Sequence, residues 1–550
     1  MTKKCVRYLY YVLAFGFGIM IIMFLVDDIR RFGWLPLRLA NESWFRNTYF
    51  LAFFWVFLFV FVIYGCIFVK LYRWKSEFKI ISVIFLLAAI PRLLLVFLNF
   101  EFYTPTSDFY NYFNFGQWVL DGNYEAIAAT VTSYRLPMMG GLALYNGLIA
   151  RIFSPTIVGF QISNAITTSL IGVFIYLIGK EINRKVALGA SMFFALYLSN
   201  VVSSQIILNQ HPTILYLLVS MYLFQKYKEA NKKSLVIYYL ISSFMFFMLA
   251  SFLHGSTIIF LIAYAMFAGI VFLANIDKET MNRVFAFRVR YITPMCKKML
   301  LYLCVFLIGY LVTSQAGIQL MYNRGVINIT ESYSFLRHFV IGLDVESVGR
   351  ITNNQNMLRM RSYPVEEQQQ AAAQIIREQL SDPKKVVLLV LRKTNAAWFG
   401  QDNQFNFYID YHRREYNSMR DEGVQSEEWI ERQESFHHMR RLSRGVASVD
   451  QLTVHLLFLF AALGLFLKKY SKVEDIYYLQ LIIVIGMFAV IGLGEAQPRF
   501  RYLAMPSLAI LGSFGFFEVI QRLEALKRKM IPLVNKSHIK SNEKVEESVK

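Results

Sequence analysis

The residue best placed for proton transfer in this chain is an aspartate between two apolar stretches. Asp108 ends the segment Glu101-Phe-Tyr-Thr-Pro-Thr-Ser-Asp and is followed by aromatic residues. A carboxylate at such a place can accept the proton of an attacking hydroxyl group. The alternative role for Asp108 is that of a helix N-cap, because small polar residues precede the aromatic run. A second acid, Asp121, stands in an Asp-Gly-Asn sequence typical of a turn, so we expect it to shape the loop.

Arginines next to apolar stretches form a second group of candidates, because they could hold a phosphate. Arg135 stands in Tyr-Arg-Leu-Pro, and Arg499 and Arg501 stand in Pro-Arg-Phe-Arg-Tyr. The planar fork of donors on a guanidinium matches the oxygens of a phosphate. The alternative is that each side chain reaches from a helix end to the phospholipid headgroups. Arg92 differs, because it lies inside an apolar run, where a charge is expensive and usually functional or paired.

Two histidines stand at the ends of apolar runs. His211 lies in Asn-Gln-His-Pro and His254 in Phe-Leu-His-Gly. Imidazoles bind divalent metal ions, so these two and Asp108 predict either a metal site or a polar site without metal. The cysteines give no metal spacing and no disulfide framework, because they are scattered along the chain at positions 5, 66, 296 and 304.

The composition shows what must position these residues. Of 550 residues, 56% are apolar, 16% aromatic and only 17% charged, which is typical of an integral membrane protein. The net charge of +20 does not indicate a nucleic-acid partner, because the basic residues form short clusters between apolar runs. Runs of about twenty apolar residues cross a bilayer as helices, so we predict an all-α polytopic fold.

The apolar runs predict about 12 transmembrane helices, within a range of 11–13. The spans are 8–26, 48–70, 79–98, 156–179, 186–205, 212–227, 235–254, 256–275, 299–317, 451–468, 474–493 and 500–521.

Short basic connections remain on the cytoplasmic side, which predicts a multi-pass protein of the cell membrane with both termini in the cytoplasm. This orientation requires that the apolar stretch 137–153 lies in the interface and does not cross. A full crossing there, offset by the loss of another span, is the alternative. The segment 27–47 is an exception, because it should be external and yet carries four arginines.

Long external segments usually carry function, and two are predicted here, 99–136 and 318–450. The second contains an amphipathic run, Lys384 to Trp398, expected to lie on the membrane surface. The predicted organisation is an N-terminal pair of membrane helices, a membrane core with the first external loop, a mostly helical external domain, C-terminal membrane helices, and a basic cytoplasmic tail expected to be disordered. Their bounds are 1–78, 79–317, 318–450, 451–521 and 522–550.

Several short motifs, taken in order, resemble the GT-C superfamily of membrane glycosyltransferases, including bacterial members of the protein mannosyltransferase and aminoarabinose transferase type. The resemblance covers residues 79–521. It rests on an acid just outside a membrane helix, a helix closing in Gly-x-Tyr, a Pro-led apolar helix, a basic turn between two spans, a polar turn before proline, and an Arg-Tyr ending. These motifs contain Asp108, Gly122 to Tyr124, Pro137, Gly179 to Lys185, Asn209 to Pro212 and Glu495 to Tyr502.

The resemblance implies an enzyme that takes a sugar from a polyprenyl-phosphate donor. Asp108 would be the catalytic base of a single inverting displacement at the extracytoplasmic face. Arg135, Arg499 and Arg501 would hold the donor phosphate.

The same resemblance implies an acceptor, which is a cell-wall polymer, a lipid-linked glycan or a protein. Tyr110, Tyr112 and Asp344 are the candidate acceptor contacts, and the large external domain would cap the site. Aromatic residues also gather at the headgroup level of membrane proteins, and loop acids are commonly only solvated, so each of these residues has a structural alternative.

The chain departs from relatives that depend on a metal. Where relatives often carry an acid before proline, this sequence has Gln210-His211-Pro212, and where some have Lys-Pro-Pro it has Arg135-Leu136-Pro137. Both departures weigh against a divalent metal as cofactor.

Two rival functions remain. One is a polysaccharide polymerase, which also has about twelve spans and one large external loop but needs no Asp108. The other is a transporter or flippase of lipid-linked oligosaccharide, for which inverted repeats and polar midplane residues are expected.

Overall fold

The structure is a computed structural model of the chain. It describes residues 62, 63, 65–97, 108–134, 138–275, 294–323, 336–347, 354–364, 367–394, 397, 398, 453–467, 475–494 and 498–549. These residues form helices and connecting turns, and none of them lies in a strand. The predicted all-α class is therefore confirmed for the described part of the chain.

From Glu77 onward we number the α-helices in chain order, and eleven of them lie in the first half of the described chain. They are α1 Glu77–Phe97, α2 Asp108–Leu120, α3 Tyr124–Tyr134, α4 Met138–Phe153, α5 Ile157–Gly179, α6 Arg184–Leu196, α7 Leu198–Ser203, α8 Gln210–Glu229, α9 Lys233–Leu253, α10 Ile258–Asn275 and α11 Pro294–Asn323.

The second half continues with shorter helices and ends in a long one. These are α12 Leu336–Gly342, α13 Gln355–Arg361, α14 Gln368–Leu380, α15 Pro383–Thr394, α16 Thr453–Leu467, α17 Asp475–Leu493 and α18 Met505–Val549. Two 3-10 turns, Gly255–Thr257 and Pro498–Leu503, precede α10 and α18.

Local sequence explains where several helices begin. Pro294 opens α11 and Pro383 opens α15, because a proline in the first turn lacks only an N–H that would have no partner within the helix. The Thr156 hydroxyl accepts the Gly159 N–H before α5, and the Asn183 side chain accepts the Val186 N–H before α6. Such caps satisfy donors that the helix itself leaves open.

Four helices of the described chain are long and apolar enough to cross a membrane, namely Glu77–Phe97, Ile157–Gly179, Lys233–Leu253 and Ile476–Leu493. They coincide with four predicted spans, 79–98, 156–179, 235–254 and 474–493. Other predicted spans correspond to α8, α10, α11, α16 and α18, whereas 8–26 and most of 48–70 lie outside the described residues. The total of about twelve spans stays a prediction.

The predicted span 186–205 is not one continuous helix. The backbone of Tyr197 is extended, with φ −61° and ψ 104°, and divides the segment into α6 and α7. The chain then leaves helical conformation before α8, which brings polar side chains of residues 199–211 into the protein interior.

Helix α4 corresponds to the apolar stretch 137–153. Its 16 residues rise about 24 Å, less than the roughly 30 Å of bilayer hydrocarbon. The helix packs along α2 and also contacts α5 and α9. Its length favours the interfacial position, which remains a prediction.

Charged residues meet at one end of the helix bundle. Lys180 lies 3.0 Å from Glu77, and Lys226 lies 3.2 Å from Glu181. These residues belong to basic connections that the charge pattern predicts to be cytoplasmic. The structure therefore gathers connections of the same predicted side.

The described part of the predicted external domain is helical. Val340, Met357, Ala372 and Ile375 are buried in a small core of their own, and α15 packs against the membrane helix α17. Along α15, Leu389 is buried whereas Val387 and Leu388 are exposed. The position on the membrane surface that is expected for the run Lys384 to Trp398 stays a prediction.

The C-terminal tail differs from the sequence-based expectation. Helix α18 continues from the membrane core through Val549, whereas residues 522–550 were expected to be disordered. Residues 522–530, Arg-Leu-Glu-Ala-Leu-Lys-Arg-Lys-Met, are all strong helix formers, which lose little side-chain entropy in a helix. High local propensity therefore explains why the helix continues beyond the apolar stretch.

Candidate functional site

Asp108 is the first residue of α2, where it is half-buried. The helix is held by α4, because the Asn146 side chain donates from Nδ2 to the Tyr112 carbonyl at 2.7 Å. An acid in the first turn also faces the positive end of the helix dipole. This position fits both a catalytic base and a helix N-cap.

The connection from α7 to α8 is held by polar side chains of α5. Gln161 donates to the Gln205 carbonyl at 3.2 Å, and Asn164 donates to the Ile206 carbonyl at 2.8 Å. Ile206, Ile207 and Leu208 are buried in the same apolar cluster as α2 and α4. The structure therefore brings the connection before His211 against the helix that begins at Asp108.

His211 is fully buried at the start of α8. Its Nε2 lies 3.0 Å from the Ser203 carbonyl oxygen, so this nitrogen carries the proton and donates. The contact ties the first turn of α8 back to α7.

His254 lies at the end of α9, next to the turn that carries His211. Asn209 donates from Nδ2 to the Leu253 carbonyl at 3.1 Å, which joins the two turns. The Ser256 N–H donates to His254 Nδ1 at 3.1 Å, so in a neutral ring the proton is on Nε2. Nε2 lies 3.5 Å from the Gln210 side-chain amide, and the opposite amide orientation would offer it an oxygen.

Arg92 is fully buried in α1, as the sequence indicates, and the structure identifies partners for it. Its Nη1 donates to the Ala88 carbonyl at 2.6 Å and to the Ala195 carbonyl of α6 at 3.3 Å. Gln205 donates to the Arg92 carbonyl at 3.2 Å. The cation is thus part of the same polar region as the connection before α8.

Arg501 belongs to the 3-10 turn Pro498–Leu503, which packs against α8 and α17. It is 1% exposed, and its Nη1 donates to the Trp398 carbonyl at 2.9 Å. The next residue, Tyr502, donates from its hydroxyl to the Ser199 carbonyl of α7 at 3.3 Å. The turn therefore belongs to the same end of the bundle as His211 and His254.

The other site residues have different positions. Arg499 is on the same 3-10 turn as Arg501, and Arg135 lies outside the described residues. Tyr110 is exposed on α2, whereas the Tyr112 ring is buried and packs edge-on against Phe109 at 6.1 Å. In this conformation an acceptor can reach Tyr110 but not the ring of Tyr112.

Asp344 is buried and organises a turn of the external domain. Its Oδ1 accepts the N–H groups of Glu346 at 2.9 Å and Ser347 at 3.0 Å, and Oδ2 accepts the Asn356 N–H at 3.1 Å. The carboxylate therefore bonds to backbone groups, not to solvent. These contacts support a structural role for Asp344, and its contact with an acceptor stays a prediction.

A metal site at His211 and His254 stays a prediction. No group of three or more His, Cys, Asp or Glu side chains is arranged there to hold an ion. His211 Nε2 and His254 Nδ1 are both engaged with main-chain groups. Their observed contacts are those of a polar hydrogen-bonded region.

Some residues that position the site were not predicted from the sequence. Asn146 and Asn164 are polar residues inside apolar helices, and their partners are carbonyl groups distant in the chain. Lys393 stands in a basic helix end but is fully buried. Only the observation that each is a polar residue on an otherwise apolar face could have indicated them.

Comparisons with known proteins bear on the same region. Residues 150–242 match the family described as dolichyl-phosphate-mannose-protein mannosyltransferase. No curated protein and no solved structure gives a match. The matched segment begins at the end of α4 and includes α5 to α8, with His211 and the connection before it. The match confirms the resemblance to the GT-C membrane glycosyltransferases for residues 150–242.

Proposed function

We propose that this chain transfers a sugar from a polyprenyl-phosphate-linked donor to an acceptor at the extracytoplasmic face of a cell membrane. The observation that carries the proposal is the family match over residues 150–242, because this segment forms part of the polar end of the bundle. The matched family is defined by a lipid-phosphate sugar, and membrane helices are the elements that could admit such a donor laterally.

The proposed reaction is a single displacement. The acceptor hydroxyl oxygen forms a bond to the anomeric carbon, and the bond from that carbon to the phosphate oxygen breaks. The Asp108 carboxylate takes the hydroxyl proton, and polyprenyl phosphate leaves with the bonding electron pair. Asp108 fits this role because it is half-buried at the start of α2.

Arg501 is proposed to stabilise the charge on the departing phosphate. A guanidinium has five N–H donors, and the contact of Nη1 with the Trp398 carbonyl fixes its direction. Arg499 on the same turn, and Arg135 after α3, are proposed to assist. The acceptor is proposed to approach over Tyr110, the exposed aromatic residue next to Asp108 on α2.

The test is transfer in proteoliposomes that contain the full chain. The donor panel begins with polyprenyl-phosphate mannose, and the acceptors are a cell-wall polymer, a lipid-linked glycan and a protein extract. Asp108→Asn should reduce transfer by about 100-fold or more, because a general base contributes at least that much. Asp121→Asn is the matched control, since it removes an exposed acid at the other end of α2 and should transfer normally.

Each outcome has a definite meaning. Normal transfer by a folded Asp108→Asn protein would refute the assignment of the base. Absence of transfer by the natural chain with every donor, together with translocation of a lipid-linked glycan, would favour a flippase. A shortened polymer in cells without the chain would favour a polymerase, whereas a lost side branch would favour the proposed transferase.

A further inference from the structure

Lys393, in the last turn of α15, is a buried cation that contacts main-chain oxygens. Its side chain is fully buried, and Nζ donates to the Gly342 carbonyl at 2.7 Å, to the Gly492 carbonyl at 2.8 Å and to the Gly494 carbonyl. An ammonium group has three N–H donors and no acceptor, so it suits a site made of carbonyl oxygens. Burial of such a charge without compensating contacts would be strongly unfavourable.

These carbonyl groups come from two helix C-termini. Helix α12 ends at Gly342 and helix α17 ends at Leu493. The last carbonyls of a helix have no partner within it and carry partial negative charge, which favours a nearby cation. The two ends approach closely, because a Cβ on Gly342 would lie 2.4 Å from the Leu493 carbonyl oxygen. Lys393 thus joins the external domain to the end of a membrane helix.

A second contact follows a few residues later in the chain. Trp398 is fully buried, stacks on Phe488 of α17 at 4.5 Å and meets Phe458 of α16 edge-on at 5.3 Å. Its carbonyl accepts the hydrogen bond from Arg501. Lys393 thus contacts Gly494, and Trp398 contacts Arg501. Lys393 and Trp398 belong to one short stretch of the predicted external domain.

We infer that Lys393 is a positioning residue that fixes the end of α17 and thereby sets the direction in which Arg501 presents its guanidinium to a lipid phosphate. The inference rests on the proposed function, because it assigns Arg501 to the donor phosphate. Arg501 has a long flexible side chain, and holding it in one direction costs conformational entropy that the anchored backbone reduces. The external domain would then contribute to donor binding as well as covering the site.

The experiment measures binding of undecaprenyl phosphate to the purified full chain in nanodiscs, which requires no acceptor. Lys393→Met keeps an unbranched side chain, one atom shorter, and removes the charge. It should raise the Kd by about tenfold or more, because the end of α17 and with it Arg501 would be displaced. Lys384→Met is the matched control, because Lys384 is exposed on the same helix. It should bind like the natural chain.

If Lys393 had only a structural role, Lys393→Met would lower the unfolding temperature, and its effect on the Kd would not depend on Arg501. We therefore combine Lys393→Met with Arg501→Gln. If Lys393 acts through Arg501, the second change should add less than about twofold to the Kd of the Arg501→Gln protein. Full additivity of the two effects would overturn the inference.

Lys393→Arg keeps a cation at the site and provides a second variant if Lys393→Met does not fold. Its Kd should lie between those of the natural chain and Arg501→Gln. An unchanged Kd in either folded Lys393 variant would overturn the inference. If the natural chain itself does not bind undecaprenyl phosphate, the proposed function fails. Binding by the natural chain with no effect of Lys393 overturns the positioning role alone.

Discussion

Asn146 and Tyr112 are joined by a 2.7 Å hydrogen bond in which the side-chain amide of α4 donates to a main-chain carbonyl of α2. Asn146 is buried, and it is one of the residues that connect the helix beginning at Asp108 to the rest of the bundle. The orientation of Asp108 therefore depends on a residue that is distant from it in the sequence.

Replacing Asn146 by leucine should destabilise the protein. The change removes this side-chain hydrogen bond, which typically contributes about 0.5–1.5 kcal/mol. The unfolding temperature in detergent measures the loss, and sugar transfer should fall with it. Asn231→Leu, at an exposed position, is the control. Equal unfolding temperatures for the two variants would show that the hydrogen bond does not hold α2.

Substitutions at His254 should separate a capping role from a metal-binding role. His254 accepts the Ser256 N–H, so His254→Ala should lose about 0.5–2 kcal/mol, as other caps do. Asparagine is a good cap, so His254→Asn should retain most of the stability. Thermal unfolding of both variants, with and without a chelator, is the measurement. A metal role is indicated instead if both variants lose transfer equally and the chelator affects only the natural chain.

Gly342→Ala should disturb the contact between the external domain and α17. The added Cβ would lie 2.4 Å from main-chain atoms of Gly494, so the two helix ends must separate, at a cost of about 1–3 kcal/mol. Gly269→Ala is the matched control, because a Cβ there meets nothing within 4 Å. In a helix this control should stabilise by about 0.5–1 kcal/mol. Unfolding in detergent compares the two, and a neutral Gly342→Ala would contradict the observed close approach.

Cysteine labelling should determine which end of the bundle faces outward. Asp121 and Lys232 are both exposed, and they lie on segments of opposite predicted side. In a chain without its natural cysteines, Asp121→Cys should react with a membrane-impermeant maleimide in intact cells. Lys232→Cys should react only after the membrane is opened. The reverse pattern would place the candidate site in the cytoplasm.

Much of the fold could be predicted because apolar runs and their flanking polar residues act locally. The predicted span 156–179 nearly coincides with α5, since Thr156 caps its start and a basic turn follows its end. The division at Tyr197 could not be predicted, because α6 and α7 form one apolar stretch in the sequence. The extended backbone there is set by tertiary packing, including the contact of Tyr197 with Tyr502 at 6.5 Å.

Residues of the site could be predicted only where a polar residue stands at the end of an apolar run. His211 and Arg501 are polar residues beside apolar runs, and the structure places both in the same polar end of the bundle. Asp344 looked like an exposed loop acid, yet its oxygens bond to backbone N–H groups, which no side-chain pattern reveals. Lys393 was missed for the same reason, because its observed partners are carbonyl oxygens.

The contact between Arg92 and the Ala195 carbonyl has a consequence for biosynthesis. The two residues are 103 positions apart, so the acceptor on α6 does not yet exist when α1 leaves the ribosome. The insertion cost of an arginine is about 2.5–3.5 kcal/mol at the centre of a membrane helix, and Arg92 lies closer to the end of α1. During insertion Arg92 can therefore bond to Ala88 of its own helix, and its contact with Ala195 forms only after α6 has been synthesised.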